Sequence, residues 1–165
     1  GVSNPAIHTS CKDLPNANEM SWYCMYGDPR RDKDELWTTM GHLYKGGMWF
    51  KKKSVLQAEN HYNTEKSADN TTDLRTAYKY YTNTNSSIYN SGLPSAADAN
   101  KYFYLPALGC YYSGQLGDVG RDGYYWSSSA TPLLSDRAYD LSFGSGYITM
   151  HYTNRYFGLR AEAFQ

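Results

Sequence analysis

The chain has 165 residues with 16 basic and 16 acidic side chains, so its formal net charge is zero. A chain of this length can bury a hydrophobic core without metals or disulfides, and we predict one domain over residues 1–165. The charge balance gives no electrostatic basis for binding nucleic acid or an anionic membrane. No apolar run reaches the roughly 20 residues of a membrane span, so we expect no insertion by this domain.

Aromatic and cysteine contents are the next distinguishing features. The chain has 18 Tyr and four Trp residues, and Tyr is favoured where a side chain faces both water and a partner. The three cysteines, Cys11, Cys24 and Cys110, cannot all pair within one chain. A Cys11–Cys24 disulfide and buried free thiols both remain open. No signal peptide is recognisable, and the leading Gly1 is consistent with removal of a targeting segment.

Two helix-start patterns lie in the first third of the chain. Asn16 followed by Glu19 matches a capping box, and the helix would end near Gly27. A second helix is predicted from Asp32, because Glu35 follows it three residues later. The apolar residues at helical spacing on that second helix are Leu36, Trp37, Met40 and Leu43. It would stop at residues 46–47 and be followed by a strand at 48–50.

The middle of the chain is polar and rich in turn-forming residues. Residues 57–90 are predicted to form a long loop with one short helical piece at 72–81, and such loops are typical of functional segments. A brief helical turn is expected at 95–98 and a strand at 101–106. Residues 109–123 contain five glycines and are predicted to be an irregular, turn-rich loop.

Period-2 alternation returns in the C-terminal third. Leu141 and Phe143 precede a Ser145-Gly146 turn, and Ile148 and Met150 follow it, which predicts a β-hairpin with these apolar residues on its buried face. The opposite face would carry Asp140, Ser142, Gly144, Tyr147, Thr149 and His151. Together these elements predict an α+β fold in which two helices pack on small antiparallel sheets with long loops.

Patterns typical of catalytic or metal sites are weak in this sequence. The four histidines, at 8, 42, 61 and 151, have no paired-ligand spacing. The run 127–129 lacks the glycines of a nucleophile elbow, so its serines are predicted to bond to loop backbone. Residues 117–123 resemble a phosphate loop only in composition, and Asp118, Asp122, Asp136 and Asp140 lack EF-hand spacing. We therefore predict a protein without enzymatic activity, cofactor or bound metal.

Four motifs occur in a fixed order along the second half of the chain. They are FYLPALG at 103–109, GYYWSSS at 123–129, AYxLxFxSG at 138–146 and RxxGxR at 155–160. Together they resemble the C-type lectin-fold variable proteins of diversity-generating retroelements in gut bacteria. Some members of that group are pilus-tip or surface adhesins, and the likeness extends to domains of the major paralogous type. Residues 14–19 and 34–41 also resemble this group.

The resemblance implies a C-type lectin-like fold whose N- and C-terminal strands pair and whose ligand surface lies in the C-terminal part. In such systems template adenines are randomised, often in Asn codons, and the resulting codons cannot encode Lys, Glu, Gln, Met or Trp. No Lys follows Lys101, and no Glu lies between Glu65 and Glu162. Gln115, Trp126 and Met150 would accordingly be fixed positions.

The resemblance also divides the positions into fixed and diversified ones. Fixed scaffold positions would be Trp126, Ser127, Ser128, Tyr139, Leu141, Phe143, Gly146, Gly158 and Arg160. The main diversified, ligand-binding positions would be Asp140, Ser142, Gly144, Tyr147, Thr149, His151, Tyr152, Thr153, Tyr156 and Phe157. Further candidates are Tyr111, Tyr112, Asp118, Arg121, Asp122, Leu134, Asp136 and Arg137.

The function implied is adhesion or ligand binding outside the cell. The partner would be a protein or glycan on another cell, a phage or a host surface, with pilus subunits as further partners, and this chain would be the C-terminal part of a longer surface protein. Alternatives are a calcium-dependent glycan lectin, a formylglycine-generating oxidase and a structural fibre-tip domain without diversification. The resemblance disfavours the first, because Ser127-Ser128 follow Trp126 where calcium lectins have Asn-Asp, and it disfavours the second, because only Cys110 lies in the second half.

Overall fold

The computed structural model describes residues 13–85, 88 and 93–165. Within these ranges the chain forms helices α1 (Ala17–Tyr26) and α2 (Lys53–Ala58), a 3₁₀ turn (Ala99–Lys101) and nine strands. The strands are β1 (Arg30–Thr39), β2 (His42–Lys51), β3 (Tyr81–Asn83), β4 (Tyr102–Pro106), β5 (Cys110–Tyr112), β6 (Gln115–Gly117), β7 (Gly123–Ala130), β8 (Arg137–Phe143) and β9 (Ile148–Asn154). This content confirms the α+β class.

Helix α1 begins at the capping box that the sequence predicts. The Asn16 side chain accepts a hydrogen bond from the Glu19 amide at 2.9 Å, and the Glu19 carboxylate accepts one from the Asn16 amide at 3.1 Å. The two bonds satisfy backbone donors that a helix start leaves without partners. At the other end, the Gly27 amide donates to the Tyr23 carbonyl. The first helix prediction is therefore confirmed.

The predicted helix starting at Asp32 is wrong. These residues form strand β1, which pairs with β2 in an antiparallel hairpin interrupted by a bulge between Asp32 and Leu36. The Asp32 carboxylate accepts hydrogen bonds from the amides of Asp34 and Glu35, both at 3.0 Å. The same side-chain chemistry that caps a helix here closes a β-bulge. Pairing of β2 with β4 then extends the hairpin into a three-stranded sheet.

The predicted burial of the residues around the β1–β2 turn is also wrong. Leu36, Met40 and Leu43 are 61%, 79% and 66% exposed. Met40 and Gly41 form the two-residue turn, with φ values of 50° and 77°, between the paired Thr39 and His42. Two positive φ values in a two-residue loop are the geometry of a type I′ turn. Apolar side chains at this end of the hairpin therefore face solvent.

Two further predictions about the middle of the chain need correction. Residues 72–81 do not form a helix: the Asp73 carbonyl accepts bonds from the Thr76 and Ala77 amides in a single turn, after which β3 begins. The second helix is instead α2, which buries Leu56 and was not predicted. The strand at 101–106 is confirmed as β4, and the turn-rich loop at 109–123 contains the short β5–β6 hairpin.

The core lies between α1, the sheet β1-β2-β4 and the second sheet β3-β9-β8-β7. Phe50 and Phe103 contribute from the first sheet, and Tyr125 and Phe143 from the second, with α1 supplying Tyr23. The Tyr125 hydroxyl donates to the Pro106 carbonyl at 2.6 Å, so one buried side chain joins the two sheets. None of the helices in the described ranges has the length and apolar character needed to span a bilayer.

The C-terminal hairpin forms as predicted. Leu141 pairs with Met150 and Phe143 with Ile148, and all four side chains are fully buried. Trp126, a fixed scaffold position according to the resemblance, pairs with Asp140 on the opposite face and is only partly buried. Neighbouring residues of a strand point to opposite faces, so burial of Tyr125 places Trp126 on the outer side.

The described cysteines are free thiols. Cys24 is fully buried in α1, and its thiol lies 3.8 Å from the Ile148 carbonyl. Burial raises the pKa of Cys24 to about 12. Cys110 is partly buried at the start of β5. Cys11 and the expected N-terminal strand lie outside the described residues.

Candidate functional site

The outer face of the sheet β3-β9-β8-β7 carries the predicted polar positions in cross-strand rows. Ser142 lies between Tyr124 of β7 and Thr149 of β9, and Asp140 lies between Trp126 and His151. Strand alternation places these side chains opposite the buried row that contains Leu141 and Met150. The hairpin pattern therefore predicted correctly which side of the sheet these residues occupy.

Asp140 differs from its neighbours because its side chain is buried. It is 3% exposed, and the Thr153 hydroxyl donates to its carboxylate at 3.0 Å. Burial raises the pKa of Asp140 to about 7, since the charged form is poorly solvated there, and the bond from Thr153 only partly opposes that effect. The Asp140 side chain therefore lies beneath the exposed surface, whereas the neighbouring His151 is partly exposed.

A second group of predicted positions forms a corner at the β8–β9 turn. Gly144 packs against the ring of Tyr147, and Asp122 lies close to both residues. The Arg121 side chain forms ion pairs with Asp118 and Asp122. Asp122 is buried, whereas Arg121 and Asp118 are exposed. Most of the exposed surface of this corner comes from the tyrosine and the arginine–aspartate pair.

Arg31 of β1 fixes the loop that carries this corner. Its guanidinium donates to the carbonyls of Arg121 at 2.7 Å and Gly120 at 3.1 Å. Charge-assisted bonds to backbone restrict the loop more strongly than neutral ones do. The first sheet therefore positions part of the surface that the C-terminal residues present.

Stacked aromatic rings form a third group. The Phe157 ring stacks on Tyr112 with a centroid distance of 4.9 Å and on Tyr156 with a distance of 5.0 Å. Tyr156 is 74% exposed, and Tyr111 and Tyr112 are exposed as well. Tyr111, next to Tyr112 on β5, lies outside this stack and pairs with Gly158. We name the three stacked residues (Tyr112, Phe157 and Tyr156) the aromatic ladder. It brings together predicted positions that lie about 45 residues apart in the chain.

The remaining predicted positions lie towards the other end of β8 and β9. The Arg137 guanidinium lies 4.8 Å from the centre of the Tyr152 ring, a cation–π contact. Tyr152 also packs on Tyr78, whose hydroxyl is 3.1 Å from His151 Nε2. Leu134 and Asp136 are exposed in the β7–β8 connection.

The serine run of β7 has a structural role. The Ser127 hydroxyl donates to the Tyr139 carbonyl at 2.8 Å, and the Ser129 hydroxyl accepts from the Ala17 amide at 2.9 Å. The Ser128 amide donates to the Pro15 carbonyl. The side chains of Ser127 and Ser129 therefore bond to backbone, but this backbone belongs to β8 and α1 and not to a loop, as was predicted. Together with the Ser128 amide, they join β7 to β8 and to the start of α1.

Several residues of this surface were not singled out from the sequence. Met40 was assigned to a buried helix face, yet its sulfur accepts a hydrogen bond from the Tyr111 hydroxyl at 3.6 Å. Tyr78 and Tyr80 both contact His151 from the predicted long loop. The one local signal was Gly41, because Met-Gly is not among the dipeptides typical of two-residue hairpin turns. Nothing local identified the two tyrosines.

The described residues contain no group of three or more His, Cys, Asp or Glu side chains placed to hold a metal ion. Comparison with protein-family models, with curated proteins and with solved structures found no match to this chain.

Proposed function

We propose that this chain is a ligand-binding domain with a C-type lectin-like fold, displayed outside a bacterial cell, whose C-terminal face is diversified by a retroelement. The ligand would be a protein or glycan on another cell, a phage or a host surface, and no catalytic step is involved. The observation that carries the proposal is the aromatic ladder, which joins exposed rings from two distant segments into one surface.

The composition of this surface supports a binding role. Tyrosine provides a large contact area at a low cost in side-chain entropy, while Ser, Thr and Gly adapt to different partners. Ser142 and Thr149 are cross-strand partners on strands whose other face is buried in the core, and Tyr147 lies in the turn just before β9. Contiguous exposed aromatic surface usually marks an interaction site.

The rigid layer beneath the face supports tolerance of variation. Core residues of β8 and β9 are fully buried, and the serines of β7 attach the sheet to α1. Exposed side chains above such a layer can change with only about ±0.5 kcal/mol effect on stability. Asp140, Asp122 and Gly144 are exceptions among the candidates, because two are buried carboxylates and the third packs against a ring.

Sequencing the 3′ end of the gene across many cells of the source strain tests diversification. We expect differences confined to adenine positions that encode the exposed candidates, together with a near-identical repeat nearby. We also expect fewer changes at the three exceptions than at Tyr112 or Tyr156. An invariant 3′ end without a repeat would refute diversification and leave a domain with a fixed ligand or a structural role at a fibre tip.

A display library tests the binding face directly. Randomising Tyr112, Tyr147, Tyr156 and Phe157 and panning against several unrelated folded proteins should yield specific binders. A matched library randomises exposed apolar positions elsewhere, at Met25, Tyr26, Leu93 and Leu133. Equal yields from the two libraries, or loss of folding in the first, would contradict the proposed face.

A further inference from the structure

A groove of about 290 Å³ lies beside the aromatic ladder. Its walls are the β1–β2 turn at Met40, the β5–β6 hairpin at Tyr111 and Leu116, and the C-terminal segment at Leu159 and Arg160. Tyr111 and Leu116 are a cross-strand pair. Three parts of the chain that are distant in sequence thus enclose one mainly apolar space.

We propose that this groove is a fixed subsite that receives one large uncharged side chain of a protein ligand. The inference rests on the proposed binding function and specifies the kind of ligand. Of the residues that line the groove, only Tyr111 is among the candidate diversified positions. Ligands that differ in their contacts to the variable face would therefore share one anchor.

Met40 supplies an independent reason to regard the groove as functional. It adopts φ of 50° and exposes most of an apolar side chain, at a turn position where Asn or Gly is favoured. The positive φ and the exposed apolar side chain both lower the stability of the unbound protein. Residues that break local rules in this way concentrate at functional sites. The hydrogen bond from Tyr111 holds Met40 at the rim of the groove.

Size and charge determine which occupant fits. The groove volume of about 290 Å³ lies at the lower end of the range for ligand pockets, and it has room for one large side chain. Its one charged residue, Arg160, lies with its Nε 3.3 Å from the Glu162 carboxylate. An uncharged occupant would preserve that ion pair, and large side chains inserted into pockets dominate protein–protein binding energy.

The test uses N-acetyl-L-tryptophanamide, an uncharged aromatic probe, titrated into the folded chain and followed by protein-detected NMR. Saturable shifts are expected at the amides of Leu108, Gly109, Leu116 and Gly158, which border the groove. The charged probe N-acetyl-L-lysinamide should produce none. Absence of saturable shifts with the tryptophan probe, or equal shifts with both probes, would overturn the proposal.

Met40→Asn separates binding from folding. Asn tolerates positive φ, so the variant should keep or raise the melting temperature, while probe affinity should fall about fivefold because part of an apolar contact is lost. Leu133→Asn, at an exposed Leu outside the groove lining, is the control and should leave affinity unchanged. Unchanged affinity in Met40→Asn would refute the subsite.

The result also separates this inference from the proposed function. Probe binding by a chain whose gene has an invariant 3′ end would retain the subsite and reject diversification. A diversified gene whose protein does not bind the probe would reject the subsite alone.

Discussion

The ring of Tyr147 packs directly on the backbone of Gly144, where a β-carbon would lie 2.6 Å from Tyr147 Cε1. Asp122 Oδ1 would be 3.1 Å from the same carbon. Two candidate diversified positions are therefore sterically coupled. A side chain at 144 is compatible with this corner only if the residue at 147 moves or is smaller.

We expect Gly144→Ala to lower the free energy of unfolding by about 1–2 kcal/mol, because added volume forces the Tyr147 ring from its position. Tyr147→Ser should recover most of that loss when combined with Gly144→Ala, giving a coupling energy of about 1 kcal/mol in a double-mutant cycle. Denaturant unfolding of the four proteins measures it. Additive effects would contradict the coupling.

Asp140 makes the stability of the protein depend on pH. Its folded-state pKa is about 7, raised from the usual 3.8, so the folded chain keeps a proton that the unfolded chain loses at lower pH. The free energy of unfolding should therefore fall between about pH 4 and pH 7 and level off above that range.

Asp140→Asn removes this contribution. Above pH 7 the variant should be more stable than the parent by up to about 4 kcal/mol, because one pKa unit corresponds to about 1.4 kcal/mol. Between about pH 4 and pH 7 its free energy of unfolding should depend much less on pH than that of the parent. Asp136→Asn is the control, since that carboxylate is exposed. Parallel pH profiles for the parent and Asp140→Asn would show that the carboxyl is not protonated in the folded state.

Phe143 and Trp126, both in the second sheet, should differ in their contributions to stability. Phe143 is fully buried and covers Gly123, where a β-carbon would lie 2.3 Å from its ring. Phe143→Ala should lower the free energy of unfolding by about 3–5 kcal/mol. Trp126 lies on the outer face, and Trp126→Ala should cost less, about 1–2 kcal/mol. Equal losses in thermal or denaturant unfolding would contradict this placement.

The side chain of Ser129 should contribute more to stability than that of the adjacent Ser128. Ser129→Ala leaves the buried Ala17 amide without its acceptor, which should cost about 1–3 kcal/mol. Ser128 alternates to the other side of β7, and Ser128→Ala should have an effect within about 0.5 kcal/mol. Hydrogen exchange at the first turn of α1 provides a second measurement, and equal protection in the two variants would refute a stabilising role for the bond from the Ala17 amide to Ser129.

Local patterns in the sequence were sufficient where one interpretation dominated. The capping box at Asn16 and the alternation around Leu141 each fit a single element, and both predictions are confirmed. The α+β class followed from those elements. At Asp32 two interpretations competed, because an aspartate that bonds to amides two and three residues ahead can start a helix or close a bulge.

The sequence by itself determined the α+β class, the first helix, the C-terminal hairpin and the side of that hairpin on which the candidate residues lie. Tertiary structure decided which of them are exposed. Period-2 alternation assigns each residue to a face of the sheet, but its burial depends on which side chains cover that face. Asp140 is buried although it shares its face with the partly exposed Thr149 and His151. Tertiary contacts also assembled the aromatic ladder and the groove at Met40, because stacking and cavities depend on segments that only folding brings together.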